Sequence, residues 1–562
     1  MANYFFEDIT AAEALAYNPA ADRLLFRTNG ATASVISVGF VPFTSSTPDY
    51  VVLSGLGRTV TFNDPGGFRG ENDAILPDSS TLFAGTTGND SQAGSAGADG
   101  LYGGAGNDSL DGLGAGDLLQ GNQGNDTLVG GTGNDTLYGG RDNDTIDVGT
   151  GLNFANGNIG DDTITGNTGS DTLLGGQNND IITGGGDTDF LNGNLGNDTL
   201  TGGTSGDTLV GEAGTDSLTG GGGNDSFNGG DDNDQIVAGS GADTVDAGAG
   251  SDTVAASDGA NIITLGDGDD SVTAGTGNDS VDGGAGNDSV DAGAGNNTVT
   301  TGVGADSVVT TGGADNISGG DGADTLSAGA GNNTVAGGIG ADQITTTTGD
   351  DNITGEAGDD VINSGDGADT VDAGADNDSI TFAGAANITA GAGNDTVAGG
   401  NLGSTITGGL GNDTVSSGSG NDSVDLGDGD DSIVDTGGAN TVTGGVGADS
   451  VTTGTGADRI DLGDGADTAN AGDGNNSVSG GLGTDTIQAG SGNDTLSGGD
   501  GDDSISAGAG LDVLDGGIGN DQISFTGRGS VVGGTGNDTI IGAAVASNID
   551  GGDGNDSVNM GA

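Results

Sequence analysis

The chain has no cysteine, no histidine, no lysine and no tryptophan among its 562 residues, and only five prolines. Disulfide frameworks, thiolate chemistry, conventional zinc sites and imidazole acid–base catalysis are all excluded by those absences. Positive charge is almost missing: seven Arg stand against about 80 Asp, for a formal net charge of −78. A folded chain of that charge repels itself unless counterions are bound, which excludes nucleic acid as a partner and favours multivalent cations. Aromatic residues make up 3% of the chain, too few for several conventional cores. No apolar run approaches membrane-spanning length, and Met1 to Asp8 lack the basic, apolar and small-residue regions of a cleaved signal.

Glycine is what the chain has in excess, 128 residues of it, and the composition changes near Phe83. All five Pro, eight of the thirteen Phe and four of the seven Arg lie before residue 84, as in an ordinary small fold. Residues 1–83 therefore read as a small β-rich N-terminal domain, a cap or an assembly contact. Its expected strands are Asp22 to Phe26, Ala33 to Phe40, Tyr50 to Leu53 and Thr59 to Phe62, rich in β-branched and apolar residues between turn formers. Asn63 to Leu82, with Pro65, Gly66, Gly67 and Pro77, reads as a linker or cap.

From Gly85 onward the sequence repeats every nine residues, about 53 times, and the repeat is followed most easily by its aspartates. Counting Asp90 as turn zero, the even turns carry Asp90, Asp108, Asp126, Asp144, Asp162, Asp180, Asp198, Asp216, Asp234, Asp252, Asp270, Asp288, Asp306 and Asp324. They continue through Asp342, Asp360, Asp378, Asp395, Asp413, Asp431, Asp449, Asp467, Asp485, Asp503, Asp521, Asp538 and Asp556 without exception. The odd turns carry Asp99, Asp117, Asp135, Asp171, Asp189, Asp207, Asp225, Asp243, Asp279, Asp315, Asp351, Asp369, Asp422, Asp458, Asp494 and Asp512. Ten registered positions lack Asp, all on odd turns: Asn153, Asn261, Asn297, Asn333, Asn387, Ser404, Asn440, Asn476, Ser530 and Ser547. One residue is lost before Asp395 and another before Asp538.

Two positions after each registered position but Asp90 and Asn387 sits an apolar residue, such as Leu110, Leu119, Leu128, Leu137, Ile146, Val272, Val281, Val290 and Val299. One inward side chain per nonapeptide fits a three-residue strand between two turns. A helix is excluded, because each of two or three glycines per nine residues would cost it roughly 1 kcal/mol. An acidic, Gly-rich chain cannot offset its ordering entropy alone, so the strict spacing calls for a ligand that supplies the missing free energy. Glycine permits turns with φ > 0 and lets carbonyls approach a narrow site, while Asp adds a carboxylate. The result is the all-oxygen environment that calcium prefers.

Gly103 to Leu110 read GGAGNDSL, and the pattern recurs at Gly130 to Leu137, Gly283 to Val290 and Gly408 to Val415. It resembles the RTX (repeats-in-toxin, haemolysin-type) consensus G-G-x-G-x-D-x-U-x over residues 84–562. That resemblance implies an all-β fold, a long parallel β-roll in which two nonapeptides make one coil and calcium lies between stacked turns, shared by the Asp above and below. The 43 registered Asp would be the metal ligands and many calcium ions the cofactor. The chain would then form about 26 coils, a rod on the order of 120 Å at roughly 4.8 Å per strand. About 40 calcium ions would nearly cancel the charge of −78. Extracellular calcium modules work at roughly 0.1 to 1 mM, so folding would be coupled to export.

An enzyme is disfavoured, since only about 83 non-repeat residues exist and no H-E-x-x-H motif is present. An ice- or ligand-binding solenoid would want a threonine column beside the turns; Thr132, Thr276 and Thr535 fill that slot, but Ala is common in it elsewhere. A structural role remains: a rigid, secreted rod for a bacterial surface layer, filament or matrix, with an adhesin stalk, an ice- or ligand-binding solenoid and, behind these, a non-catalytic remnant of an RTX enzyme as the alternatives. The expected partners are calcium, further copies of the chain end to end or side by side, and a cell-surface polysaccharide. Resemblance implies type I secretion to the cell surface, although the sequence ends at Ala562 directly after a repeat, where such exporters read a non-repeat segment.

Overall fold

The computed structural model describes residues 79–543 and 548–561, together with six strands among residues 1–78. It is divided into two compact units, Met1–Ser280 and Val281–Ala562. Every described element is a β-strand.

In the first unit each strand after an even turn pairs in parallel with the strand 18 residues further on: Leu110 lies beside Leu128, and Leu128 beside Ile146. Strands after odd turns do the same in a second sheet, where Leu101, Leu119, Leu137 and Ala155 stack in register. The second unit repeats the arrangement, with Val308, Leu326 and Ile344 in one sheet and Val299, Ile317 and Val335 in the other. Two nonapeptides thus make one 18-residue coil, and the fold is a parallel β-solenoid.

Strands after odd turns are longer than the expected three residues. Leu118–Gln123 and Thr136–Arg141 span six, because pairing continues into the next turn's first glycines, whereas Thr127–Val129 and Thr145–Asp147 stop at three. Burial alternates as the pleat requires, so the residues two and four positions after each Asp both face inward, as Ile236 and Ala238 do. The core therefore has two columns per sheet: a large aliphatic residue, then a small one at the corner.

Two coils are one residue short, and their register corrects the assignment of two turn positions. Asp369 pairs with Ala386 and Thr370 with Asn387; likewise Asp512 pairs with Gly529 and Val513 with Ser530. The residue is thus lost before Ala386 and before Gly529, within the turn itself. Asn387 and Ser530 are the outward neighbours, not the turn residues proper. At each short turn a phenylalanine, Phe382 or Phe525, is buried at the inner corner. Gly399 and Gly542 in the next coil make room for the rings: a Cβ there would lie 2.6 and 2.5 Å from the ring Cζ atoms.

Of the N-terminal expectations, Arg23–Leu25, Ser37–Val41, Tyr50–Gly55 and Arg58–Asn63 are strands, and Asn3–Phe5 and Ala74–Ile75 are further ones that the sequence did not announce. Three form an antiparallel meander, Val38 beside Leu53 and Leu53 beside Val60. The others form a small parallel sheet, Asn3 beside Arg23 and Leu24 beside Ala74. Ser37–Val41 lies against Gly100–Ala105 of the first coils, where Gly100 and Tyr102, outward-facing by the strand's alternation, are buried. The linker expected at Asn63 to Leu82 falls mostly outside the described residues, as does Ser547.

Candidate metal centres

Each turn is built from six residues, and its glycines serve two purposes. In Gly130-Gly131-Thr132-Gly133-Asn134-Asp135, Gly131 and Gly133 have φ of 100° and 145°. That region is costly for residues with a Cβ. Where glycine is absent there, Asn, Asp and Glu predominate, as at Asn122, Asn158 and Glu212. Gly130 has ordinary φ and is glycine for space: a Cβ on it would lie 2.8 Å from Asp135 Oδ2 and 2.5 Å from the Val148 carbonyl oxygen. Gly283 in the second unit occupies the same setting, with Asp288 Oδ2 and the Thr301 carbonyl oxygen both 2.7 Å from its would-be Cβ.

The registered aspartates stack on two edges. On the even edge of the first unit the Asp90 N–H donates to Asp108 Oδ1, Asp108 to Asp126, and Asp126 to Asp144, each at 2.7 Å. On the odd edge Asp99, Asp117 and Asp135 form the same ladder at 2.7 to 2.8 Å. The second unit has a ladder of the same kind, for example from Asp431 to Asp449 to Asp467. From Asp99 to Asp538 every registered Asp is at most 3% exposed, whereas Asp90 and Asp556 are partly exposed. All 43 sequence-identified residues thus occupy equivalent places, and the structure separates them into the two edges.

Where the rung is Asn, the ladder survives without the charge. Asp135 donates to Asn153 Oδ1 at 2.9 Å and Asp243 to Asn261 Oδ1 at 3.1 Å. At the short coils the rungs are Ala386, which has no side-chain acceptor but whose N–H donates to Ser404 Oγ at 3.2 Å, and Gly529.

Oδ1 serves the backbone ladder; Oδ2 does not. In Asp108, Asp126, Asp144, Asp117, Asp135, Asp171 and most other rungs Oδ2 is buried with no hydrogen-bond partner. Burial is the first cause that pushes Asp144 and Asp180 up to about 8 and Asp126 to about 7; the ladder hydrogen bond lowers them and neighbouring Asp raise them again. An anionic oxygen without a donor, beside a glycine that leaves an oxygen-lined gap, is the arrangement a bound cation would satisfy. Among the described residues no three carboxylates converge on one point. The donor set is instead one or two carboxylates with backbone carbonyl oxygens, hard ligands that fit calcium and suit no soft metal.

Together these features define a class of protein: a parallel β-solenoid with repetitive oxygen sites along its edges. The family model for the RTX calcium-binding nonapeptide repeat matches in successive blocks from residues 84–119 to residues 527–562. The chain belongs to that family, whose nonapeptide repeats bind calcium and whose members are generally secreted extracellular proteins. No curated protein matches the chain.

Proposed function

We propose that this chain is a secreted, non-catalytic structural protein whose 43 registered Asp bind calcium, one ion between each pair of stacked rungs. The observation that carries the reading is the column of buried, unpartnered Oδ2 atoms on both edges. It supports a molecule that is folded where calcium is millimolar and unfolded where it is scarce. Its product would be a rigid rod for a surface layer, filament or matrix. Residues 1–83 would form a separate domain that covers the first coil, which the position of Ser37–Val41 against Gly100–Ala105 favours. Copies would associate end to end or laterally, with a cell-surface polysaccharide as a further partner. Electron microscopy of the full chain with and without chelator tests this: extended, assembled particles in calcium and none after chelation support it, and compact monomers in both conditions oppose it.

One observation favours the alternative of an ordered ligand-binding face. Thr132, Thr150 and Thr168 stack in successive turns of the odd edge. The column is confined to three coils, since Gly114 precedes it and Gly186 follows. That is short for an ordered surface, and the structural reading stands ahead of it.

A further inference from the structure

The rung at Asn440 differs from the other amide rungs. Five positions before Asn153, Asn261, Asn297, Asn333 and Asn476, the inward corner residues are Val148, Ala256, Ala292, Ala328 and Ala471. Before Asn440 the corner residue is Asp435, a carboxylate 3% exposed inside the solenoid. An amide has entered the ladder and a carboxylate has entered the same turn five residues earlier, so the turn keeps its charge.

Asp435 is held in place by three donors. Its Oδ2 accepts from the Ser417 hydroxyl at 2.7 Å; its Oδ1 accepts from the Gly437 N–H at 2.7 Å and from Asn440 Nδ2 at 2.9 Å. The ladder runs through the site unbroken, from the Asp422 N–H to Asn440 Oδ1 and from the Asn440 N–H to Asp458 Oδ1, both at 2.9 Å. Asp422 and Asp458, each 2% exposed, flank it one coil away on either side, and the Oδ2 of each has no hydrogen-bond partner. Arg459, the nearest cation in sequence, is exposed on the outer face.

We propose that Asp435 replaces the missing rung carboxylate as the ligand of a divalent cation, calcium by its all-oxygen surroundings, held with Asp422 and the Ser417 hydroxyl. Asn440 orients Asp435 and does not bind the ion through charge. The turn is thus a full-charge site on an edge whose other amide rungs have lost theirs. The inference rests on the reading of the rungs as calcium ligands, and its test separates the two.

The test is hydrogen exchange of the full chain during a calcium titration, read on peptides spanning residues 430–446. Asp435→Asn keeps a polar side chain of the same size and removes the charge, and is expected to raise the calcium concentration at which these peptides become protected by about tenfold. Asp435→Gly combined with Asn440→Asp rebuilds an ordinary turn and is expected to restore the wild-type midpoint. Asp449→Asn, an ordinary rung of the other edge, is the control for the general reading. If Asp449→Asn shifts its own peptides and Asp435→Asn shifts none, Asp435 only ties the turn together and the proposal fails. If Asp435→Asn loses protection and the double variant does not regain it, the effect is misfolding and the proposal fails equally. A control that shifts nothing removes the calcium reading of the rungs and this inference with it.

Discussion

At the scale of single residues, the two uses of glycine are separable by experiment. Gly130 has an unstrained backbone, so alanine there costs space alone, and the space is the gap between Asp135 Oδ2 and the Val148 carbonyl. Ala238 and Ala247 stand at the same corner before Asp243 and Asp252, so Gly130→Ala should be accommodated with little change in the calcium midpoint for hydrogen exchange of the surrounding peptide, whereas Gly131→Ala, at a φ of 100°, should raise it. The protection that finally develops at saturating calcium should be unchanged. A pH effect follows from the same buried carboxyls. Asp144 and Asp180 sit near 8 without metal, against 3.8 for an ordinary Asp, so the calcium-free fold holds protons that the unfolded chain has released. Its stability is highest below about pH 3.8 and falls as pH rises toward 8. Circular dichroism of the calcium-free chain should show more β-structure at pH 4 than at pH 8. With calcium the order reverses, because protons compete for the ligands.

At the scale of the element, the two edges are unequal. The even edge has a carboxylate at every turn, whereas on the odd edge Asn153, Asn261, Asn333 and Asn476 keep the hydrogen bond and lose the charge. Calcium titration should resolve a tighter and a weaker class of site, and Asn261→Asp should move its turn into the tighter one. The short coils go further: the ring of Phe382 or Phe525 occupies the corner of a turn whose rung is Ala386 or Gly529. Phe382→Ala should destabilise its coil by about 3 kcal/mol. The calcium bound should not change, which thermal unfolding and calcium analysis of the variant would show. Much of this was legible in advance, since a nine-residue period with one Asp and one aliphatic residue fixes the coil and the ladder. The place of each lost residue was not. Asn387 and Ser530 look like rungs by letter, and only the pairing of Asp369 with Ala386 and Asp512 with Gly529 shows that the deletion lies earlier. Asp435 was also missed, because a carboxylate out of register reads as a surface Asp until the pleat turns it inward.

At the scale of the whole molecule, the proposed dependence on calcium follows from how little else is buried. Each nonapeptide buries a large aliphatic residue and a small one, a thin return for ordering nine residues, and its buried carboxylates oppose folding when ionised. The class of fold was readable from the spacing of Asp and aliphatic residues because each repeat reinforces the others. The N-terminal strands were readable only in part, since Asn3–Phe5 and Ala74–Ile75 are short and pair across many residues of sequence. The central claim is that calcium supplies the folding free energy, and the most direct measurement is far-UV circular dichroism of the full chain at pH 7.5 as calcium is raised from a chelated start. A cooperative rise from a disordered spectrum to a β-spectrum between roughly 0.1 and 1 mM calcium is predicted. A chelated chain that already shows the full β-spectrum and resists protease would contradict it.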